Sequence, residues 1–435
     1  MQYIDVQKTI DNAKFNPFHL KVLLWCFLII IIDGYDIAVS GAAIPSIMEE
    51  MGVTASTAGF MASSALFGMM FGAIFFGTLS EKIGRKWAIS ICVFIFSFFT
   101  AAAGLCKDPV SFSIMRFIAG LGIGGVMPNI VAQMTEYSPK KIRSFMTTMM
   151  FSGYAIGGIL AALIGKQFIL SFGWQIVFFA AGVPLLLIPF ILKYMPESFA
   201  YLVKKQKIDE IHTTLVKIQP DLIIHPETQL HFNEVNQSSA APIKELFSHG
   251  RMLSTFMFWI AFFTGLFMVY ALSTWLTKLM AMSGYSLGSA LSFVVALNLG
   301  AVMGCAVGGW LADCFHIKWV LISMYFLGSI FLYLMTIKMD STLLYLVVAA
   351  IGACSTGAQI VAYAYSGQFY PMSIRSTGVG MATGVGRLGA IVAPLIIGVI
   401  VSLNLPLEQN FLVIASAGLI GAIALAFIQH DRAAA

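Results

Sequence analysis

The chain has 435 residues, of which 59% are hydrophobic and only 10% charged, and its mean hydropathy is +0.88. Soluble domains carry about 25% charged residues, so this composition excludes an ordinary soluble globule and points to an all-helical polytopic membrane protein. The formal charge of +5 does not mark a nucleic-acid binder, because the basic residues are spread over short polar connections and form no patch.

In chain order, residues 1–19 lie in the polar stretch "MQYIDVQKTIDNAKFNPFHLK", which lacks the short apolar core and cleavage site of a signal peptide. The first apolar run is therefore expected to be retained as a span. A helix needs about 20 apolar residues to cross a bilayer. Spans are read at 20–44, 57–79, 87–106, 110–133, 144–166, 174–194, 252–276, 286–310, 319–338, 341–365, 376–400 and 408–428. The long polar segment 195–251 divides them into a six-helix bundle over 20–194 and another over 252–428, with a tail at 429–435. Almost all Lys and Arg outside the spans fall on one side, whereas Lys107, Lys166, Lys278 and Lys338 fall on the other. By the positive-inside rule both termini, the central loop and the tail are cytoplasmic.

Some chemistries have no basis in these residues. The six cysteines show no CxxC spacing, so neither a disulfide framework nor a zinc site is expected. No GxxxxGK[ST] stretch occurs, and His212, His225, His231 and His249 lie in or near the polar loop. No enzyme activity, cofactor or metal is expected, and the chain is read as a monomer in the lipid bilayer.

The halves repeat at one offset of 232 residues. "GMMFGAIFFGTLSEKIGRK" (68–86) lies over "GAVMGCAVGGWLADCFHIK" (300–318), and "SPKKIRS" (138–144) over "YPMSIRS" (370–376). Gly120 and Gly125 fall on Gly352 and Gly357 at the same offset. Two parallel six-helix repeats are the layout of an alternating-access transporter whose site lies between the halves.

These blocks carry a family resemblance over nearly the whole chain. "GTLSEKIGRK" resembles the loop signature after the second helix of the major facilitator superfamily, and "RFIAGLGIGGVMPN" (116–129) its fourth-helix signature. With "DGYD", "MFSGYAIGG" and "RSTGVGMATGVGRLGAIVAP", the chain resembles the aromatic acid:proton symporter family, in particular its benzoate transporters. The resemblance implies a proton-coupled importer of an aromatic carboxylate such as benzoate or hydroxybenzoate in a bacterial inner membrane. A carrier of another organic anion, such as the aliphatic diacid muconate, a drug-type efflux antiporter and a transporter-like chemoreceptor are the alternatives. Two departures stand out. Ser80 and Glu81 replace the usual Ala-Asp, and "ADCFHIK" lacks the arginine that normally follows Asp313, which weakens that loop as a latch.

Four charged residues, Asp33, Asp36, Arg116 and Arg387, fall inside spans away from their ends. A carboxylate or guanidinium there costs roughly 2.5 to 3.5 kcal/mol, so each is a functional candidate by default. Asp33 and Asp36 lie roughly 18 to 22 Å inward of Lys21 and share a helix face. Arg116 lies roughly 8 Å below the opposite surface, and Arg387, past Arg375, roughly 18 Å deep. A carboxylate beside an arginine stays ionised until something competes for the arginine; it then loses its compensation and takes a proton. Asp33, Asp36 and Arg116 are therefore the proton-coupling set. Similarity to sugar:proton symporters favours Asp36 as the carrier, with a permanent Asp36–Arg116 ion pair as the alternative. Arg387 has no counterpart at its repeat position, Ala155. An unrepeated central guanidinium suits recognition of a carboxylate. Tyr35, Asn129, Gln133, Tyr154, Tyr270, Asn298, Gln359 and Tyr363 are the polar candidates to complete the pocket, each with interhelical hydrogen bonding as the competing role. Gly77 and Gly309 permit close helix approach, and Glu81 and Asp313 can accept from helix N-termini or from Arg85, Arg143 and Arg375. Together with Lys86 these form a gate that latches the cytoplasmic face in one state.

Overall fold

The computed structural model describes residues 3–220, 229–231, 242–370 and 375–432. Among the described residues, twelve helices are long and apolar enough to cross a membrane. Span 1 is Pro17–Met51, span 2 Ala55–Ile83, span 3 Arg85–Ala103, span 4 Pro109–Tyr137, span 5 Phe145–Phe172 and span 6 Gln175–Tyr194. Span 7 is Met252–Met282, span 8 Leu287–Cys314, span 9 Ile317–Leu334, span 10 Ser341–Phe369, span 11 Arg375–Ser402 and span 12 Leu407–Ala426. The chain is a multi-pass membrane protein of two six-helix halves.

Short polar residues start these helices by accepting otherwise unpaired amides. Asn16 accepts from Phe18 and His19, and the His19 ring accepts in return from the Asn16 amide. Thr54, Asp108, Ser286 and Asp340 cap spans 2, 4, 8 and 10 in the same way. Gly52, at φ 63°, ends span 1 in the left-handed conformation that a side chain would strain. The remaining apolar surface faces outward through exposed Phe, Leu and Ile such as Phe71, Ile74 and Leu346, as a lipid-facing protein requires.

Three features differ from the reading of the sequence. Spans 1 and 7 continue to Met51 and Met282, because a helix does not end where its apolar stripe does. Span 6 is broken into Gln175–Ala180, a 3-10 turn Val183–Leu187 and Ile188–Tyr194, as Pro184 and Pro189 demand. Span 10 contains a π turn at Ala353–Gly357, whereas its repeat partner, span 4, is continuous α-helix. The polar segment after span 6 also has structure: the helix Ile208–Ile218 buries Ile211, Leu215 and Ile218 against the first half, an i, i+4, i+7 stripe. Strand Tyr3–Asp5 pairs in parallel with Gln229–His231.

Between the halves, span 1 packs on span 7, span 2 on span 11 and span 5 on span 8. At the end away from the termini one apolar core runs across both halves, joining Ile44, Ala55, Ala58 and Ala162 to Phe267, Leu272 and Ile397. At the end carrying the termini, the core around Phe258, Tyr325 and Tyr365 contains second-half residues only.

Candidate functional site

The two ends of the interface between the halves are in opposite states. Away from the termini it is closed. A Cβ on Gly41 would lie 1.9 Å from the Ser273 carbonyl oxygen, and one on Gly59 2.4 Å from that of Pro394. Hydrogen bonds cross the same end: Ser63 Oγ donates to the Ile391 carbonyl (2.8 Å), the Ser56 amide to Ser402 Oγ (2.7 Å) and Lys166 Nζ to Ser292 Oγ (2.8 Å). Toward the termini it is open, and a Cβ added to Gly77, Gly309, Gly380 or Gly384 would meet no atom within 4 Å. Spans 1, 5, 7, 10 and 11 bring Asp33, Tyr154, Tyr270, Tyr363 and Arg387 near one another between the halves.

Asp36 and Arg116 pair deep inside the first half, each 1% exposed. Arg116 Nη1 donates to Asp36 Oδ2 (3.0 Å) and to Thr100 Oγ1 (2.7 Å), and Nη2 to the Asp36 carbonyl (3.0 Å). The guanidinium also sits over the Phe178 ring, 5.9 Å from its centroid, beside the packed rings of Phe112 and Trp174. Two hydrogen-bonding partners and an aromatic wall offset the desolvation of this charge pair. Asp36 Oδ1 and Arg116 Nε remain without partners, so the pair is incompletely satisfied.

Asp33, one turn earlier on the same helix, has different company. The Tyr154 hydroxyl of span 5 donates to Asp33 Oδ2, and Asp33 Oδ1 is buried without a partner. From the other half, Arg387 lies close enough to act electrostatically on Asp33, Tyr154, Tyr270 and Tyr363. Arg387 is half-buried and donates no hydrogen bond among the described residues. Tyr270 packs against the apolar cores of both halves, and Tyr363 stands edge-on to Phe262 at 5.0 Å. Behind them the Tyr325 hydroxyl donates to the Ala261 carbonyl (2.9 Å) and Gln359 Oε1 (3.4 Å), while Gln359 Nε2 is buried with no partner. One guanidinium with no hydrogen bond among the described residues, one carboxylate with an unpartnered oxygen and three phenols therefore converge between the halves, with Gln359 behind Tyr363.

Four other candidates from the sequence are not brought there. The Tyr35 hydroxyl donates to the Val177 carbonyl (2.7 Å), within the first half. Asn129 Nδ2 donates to the Gly125 carbonyl (2.8 Å) and joins span 4 to Phe76 of span 2. Gln133 Nε2 donates to the Pro196 carbonyl (2.7 Å) and ties span 4 to the end of span 6. Asn298 Nδ2 donates to the Val294 carbonyl (2.9 Å) and packs against Gly158 where spans 5 and 8 touch. Tyr35, Asn129 and Gln133 thus bond to a neighbouring helix or its end, the role that competes with ligand binding, whereas Asn298 bonds within span 8.

The expected gate is also differently connected. Gly77 and Gly309 touch no partner helix here, because the halves stand apart at that end. Arg85 pairs with Glu136, and Arg143 with Asp11 Oδ1 (2.6 Å) and the Ser138 carbonyl (2.9 Å). Glu197 Oε1 accepts from the amides of Arg85 (2.6 Å), Lys86 (3.2 Å) and Ser198 (2.9 Å), so it caps the start of span 3. The side chains of Glu81, Asp313 and Arg375 lie outside the described residues. Thr100, Asp11, Glu136 and Glu197 are not among the residues expected from the sequence. Glu136 and Glu197 did leave a signal, as acids at the C-terminal ends of spans 4 and 6, where positive-inside counting attends only to Lys and Arg.

The comparisons with known proteins agree with this architecture. The family model described as Major Facilitator Superfamily matches residues 26–315 and 294–435. The chain is 44% identical to the benzoate transport protein of Acinetobacter baylyi, over 99% of this chain and 93% of that one. It is 31% identical to a 4-hydroxybenzoate transporter of Pseudomonas putida, over 99% and 97%. Among solved structures, the xylose transporter of E. coli in a partially occluded inward-open conformation superposes with a TM-score of 0.74 at 17% identity, covering 95% of this chain and 98% of that one.

Proposed function

The chain belongs to the major facilitator superfamily, and from that premise we propose that it is a proton-coupled symporter importing an aromatic carboxylate such as benzoate or hydroxybenzoate by alternating access. It is a transporter and not an enzyme. The observation that carries the substrate class is Arg387, a central guanidinium without a hydrogen-bonding partner among the described residues, facing three phenols. Such a fork grips a carboxylate bidentately, and Tyr270, Tyr363 and Phe262 supply aromatic surface for the ring.

The coupling follows from the same geometry. Arg387 faces Asp33 from the other half and offers it a compensating positive charge. A bound substrate carboxylate neutralises Arg387 and brings a second negative charge toward Asp33, whose free Oδ1 then takes a proton while Tyr154 holds Oδ2. The loaded site carries one net charge less than it would with an ionised aspartate, so the halves can close over it. Asp36 pairs with Arg116 and braces span 1. The resemblance to sugar symporters favoured Asp36 as the proton carrier; both aspartates keep one unpartnered oxygen, but Asp36 is held by Arg116 within the first half, whereas Asp33 faces Arg387 of the other half, the cation a substrate carboxylate would engage. With the basic end taken as cytoplasmic, the structure is an inward-facing state.

Asp33→Asn and Asp36→Asn in proteoliposomes test this assignment. Asp33→Asn is expected to keep substrate exchange and lose gradient-driven accumulation. Accumulation at the wild-type level in Asp33→Asn removes that residue from coupling, and its loss in Asp36→Asn with exchange spared returns the proton to Asp36.

A further inference from the structure

On the side that carries the termini, a cavity of about 670 Å³ lies between the starts of spans 1 and 3, the end of span 6 and the helix Ile208–Ile218. Four lysines line it, one from each element: Lys21, Lys86, Lys193 and Lys217. Lys21 and Lys193 both lie over the Tyr194 ring, with Nζ 4.6 and 5.3 Å from its centroid. The negative face of that ring holds two like charges in one place. Three carboxylates share the lining. Glu197 is engaged by backbone amides, Glu210 is paired with Lys207 Nζ (2.7 Å), and Asp209 sits in the first turn of its helix, where the dipole favours it. The excess positive charge is therefore concentrated at Lys21 and Lys193.

The internal repeat supplies a control within the same molecule. A crevice of about 510 Å³ in the second half is lined by Leu253, Lys318, Trp319 and residues 426–431. At the offset of 232, Lys86 corresponds to Lys318, but Lys21 corresponds to Leu253, Lys193 to Leu425 and Tyr194 to Ala426. Two lysines and the ring they share are thus particular to the first half and are not demanded by the fold. Exposed apolar side chains stand beside its lysines in the sequence. Leu24, one turn above Lys21, is 56% exposed, and Phe190, 51% exposed, stacks on Tyr194 at 6.4 Å. Trp87, next to Lys86, is 52% exposed at the level where membrane proteins place their interfacial aromatics.

We propose that this cavity binds the phosphate of an anionic phospholipid head group between Lys21 and Lys193, with Lys86 and Lys217 flanking it and the acyl chains running along Leu24 and Phe190. A free phosphate ester has the same head-group chemistry, but it has no use for these apolar side chains. The bound lipid ties the start of span 1, which carries Asp33 and Asp36, to span 6 and the helix Ile208–Ile218.

The test is native mass spectrometry of the full chain in detergent, titrated with phosphatidylglycerol, with phosphatidylethanolamine, and with phosphatidylglycerol against glycerol phosphate. Phosphatidylglycerol is expected to bind at least about tenfold more tightly than phosphatidylethanolamine, and Lys21→Gln/Lys193→Gln/Lys217→Gln is expected to lose at least about tenfold in that affinity. The matching triple Lys→Arg variant should retain the lipid, as should Lys318→Gln in the repeat-related crevice. If the triple Gln variant does not elute as folded protein, the single Lys193→Gln variant, at an exposed side chain, is read in its place. Equal phosphatidylglycerol affinity in the wild type and the Gln variant overturns the site. Equal affinity for the two lipids overturns the anionic preference, and displacement of the lipid by glycerol phosphate at matched concentration overturns the lipid as its source.

Discussion

Gly41→Ala separates the two states of the transporter by a clash that only one of them contains. A Cβ at residue 41 would lie 1.9 Å from the Ser273 carbonyl oxygen and 3.1 Å from the Thr274 Cα. Contacts of this kind settle at roughly 3.5 Å, so spans 1 and 7 have to part by more than about 1 Å, and the obstacle is backbone that cannot rotate away. Overpacking of this size costs about 1 to 3 kcal/mol. The cost falls on the arrangement closed at this end and vanishes where the ends separate, so the equilibrium should shift about 5- to 150-fold away from the observed state. Ser63→Cys, in a background lacking the six native cysteines, reports the shift. Ser63 is 0% exposed and bonded to Ile391, so a thiol there reacts with a water-soluble maleimide only when the end opens. Labelling is expected to accelerate in Gly41→Ala and not in Gly77→Ala, which meets nothing within 4 Å in this state. An unchanged labelling rate in folded Gly41→Ala protein would refute the assignment of this end as the closed gate.

Arg116→Ala leaves Asp36 buried without its cation and should lower stability by about 3 to 5 kcal/mol, read as a fall in melting temperature in detergent. Arg116→Gln/Asp36→Asn should recover part of that loss; equal losses in both variants would mean that the charges do not act as a pair. Arg387→Ala breaks no hydrogen bond among the described residues, so its melting temperature should match the wild type. Its half-saturating benzoate concentration should nonetheless rise about 10- to 150-fold, the equivalent of one charge-assisted contact. Glu197→Ala removes the acceptor of two amides at the start of span 3 and of the Ser198 amide, and should cost about 1 to 2 kcal/mol in chemical denaturation. Burial, with His316 and Lys318 beside it, holds the His430 imidazole below the ordinary histidine range. The unfolded chain therefore binds that proton first, and the stability from this packing is present at neutral pH and lost as pH falls through the ordinary histidine range. His430→Gln should flatten the loss between pH 7 and 5 in thermal melts, against a wild type that declines over about the same interval.

The spans were legible because length and hydropathy alone decide what crosses a bilayer, and the 232-residue offset revealed two halves before any helix was placed. Asp36 with Arg116 was legible too, since two buried opposite charges at compatible depths have few places to go. Asp33 with Arg387 was only half legible: the depths agreed, but the partner Tyr154 depends on how span 5 packs against span 1 through Gly34 and Gly157. The polar residues Tyr35, Asn129, Gln133 and Asn298 read the same as Tyr154, Tyr270, Gln359 and Tyr363 in one dimension. Only helix rotation tells a residue that faces the other half from one that donates to a neighbouring carbonyl. The gate was legible only as a set of charges: Arg85 and Arg143 pair here with Glu136 and Asp11, and the side chains of Glu81, Asp313 and Arg375 lie outside the described residues.

Uptake of radiolabelled benzoate into proteoliposomes, under an imposed inward proton gradient and with or without a protonophore, tests symport most directly. Accumulation above the outside concentration that the protonophore collapses is the predicted result. Failure of folded, correctly inserted protein to accumulate benzoate, or accumulation indifferent to the protonophore, would contradict it.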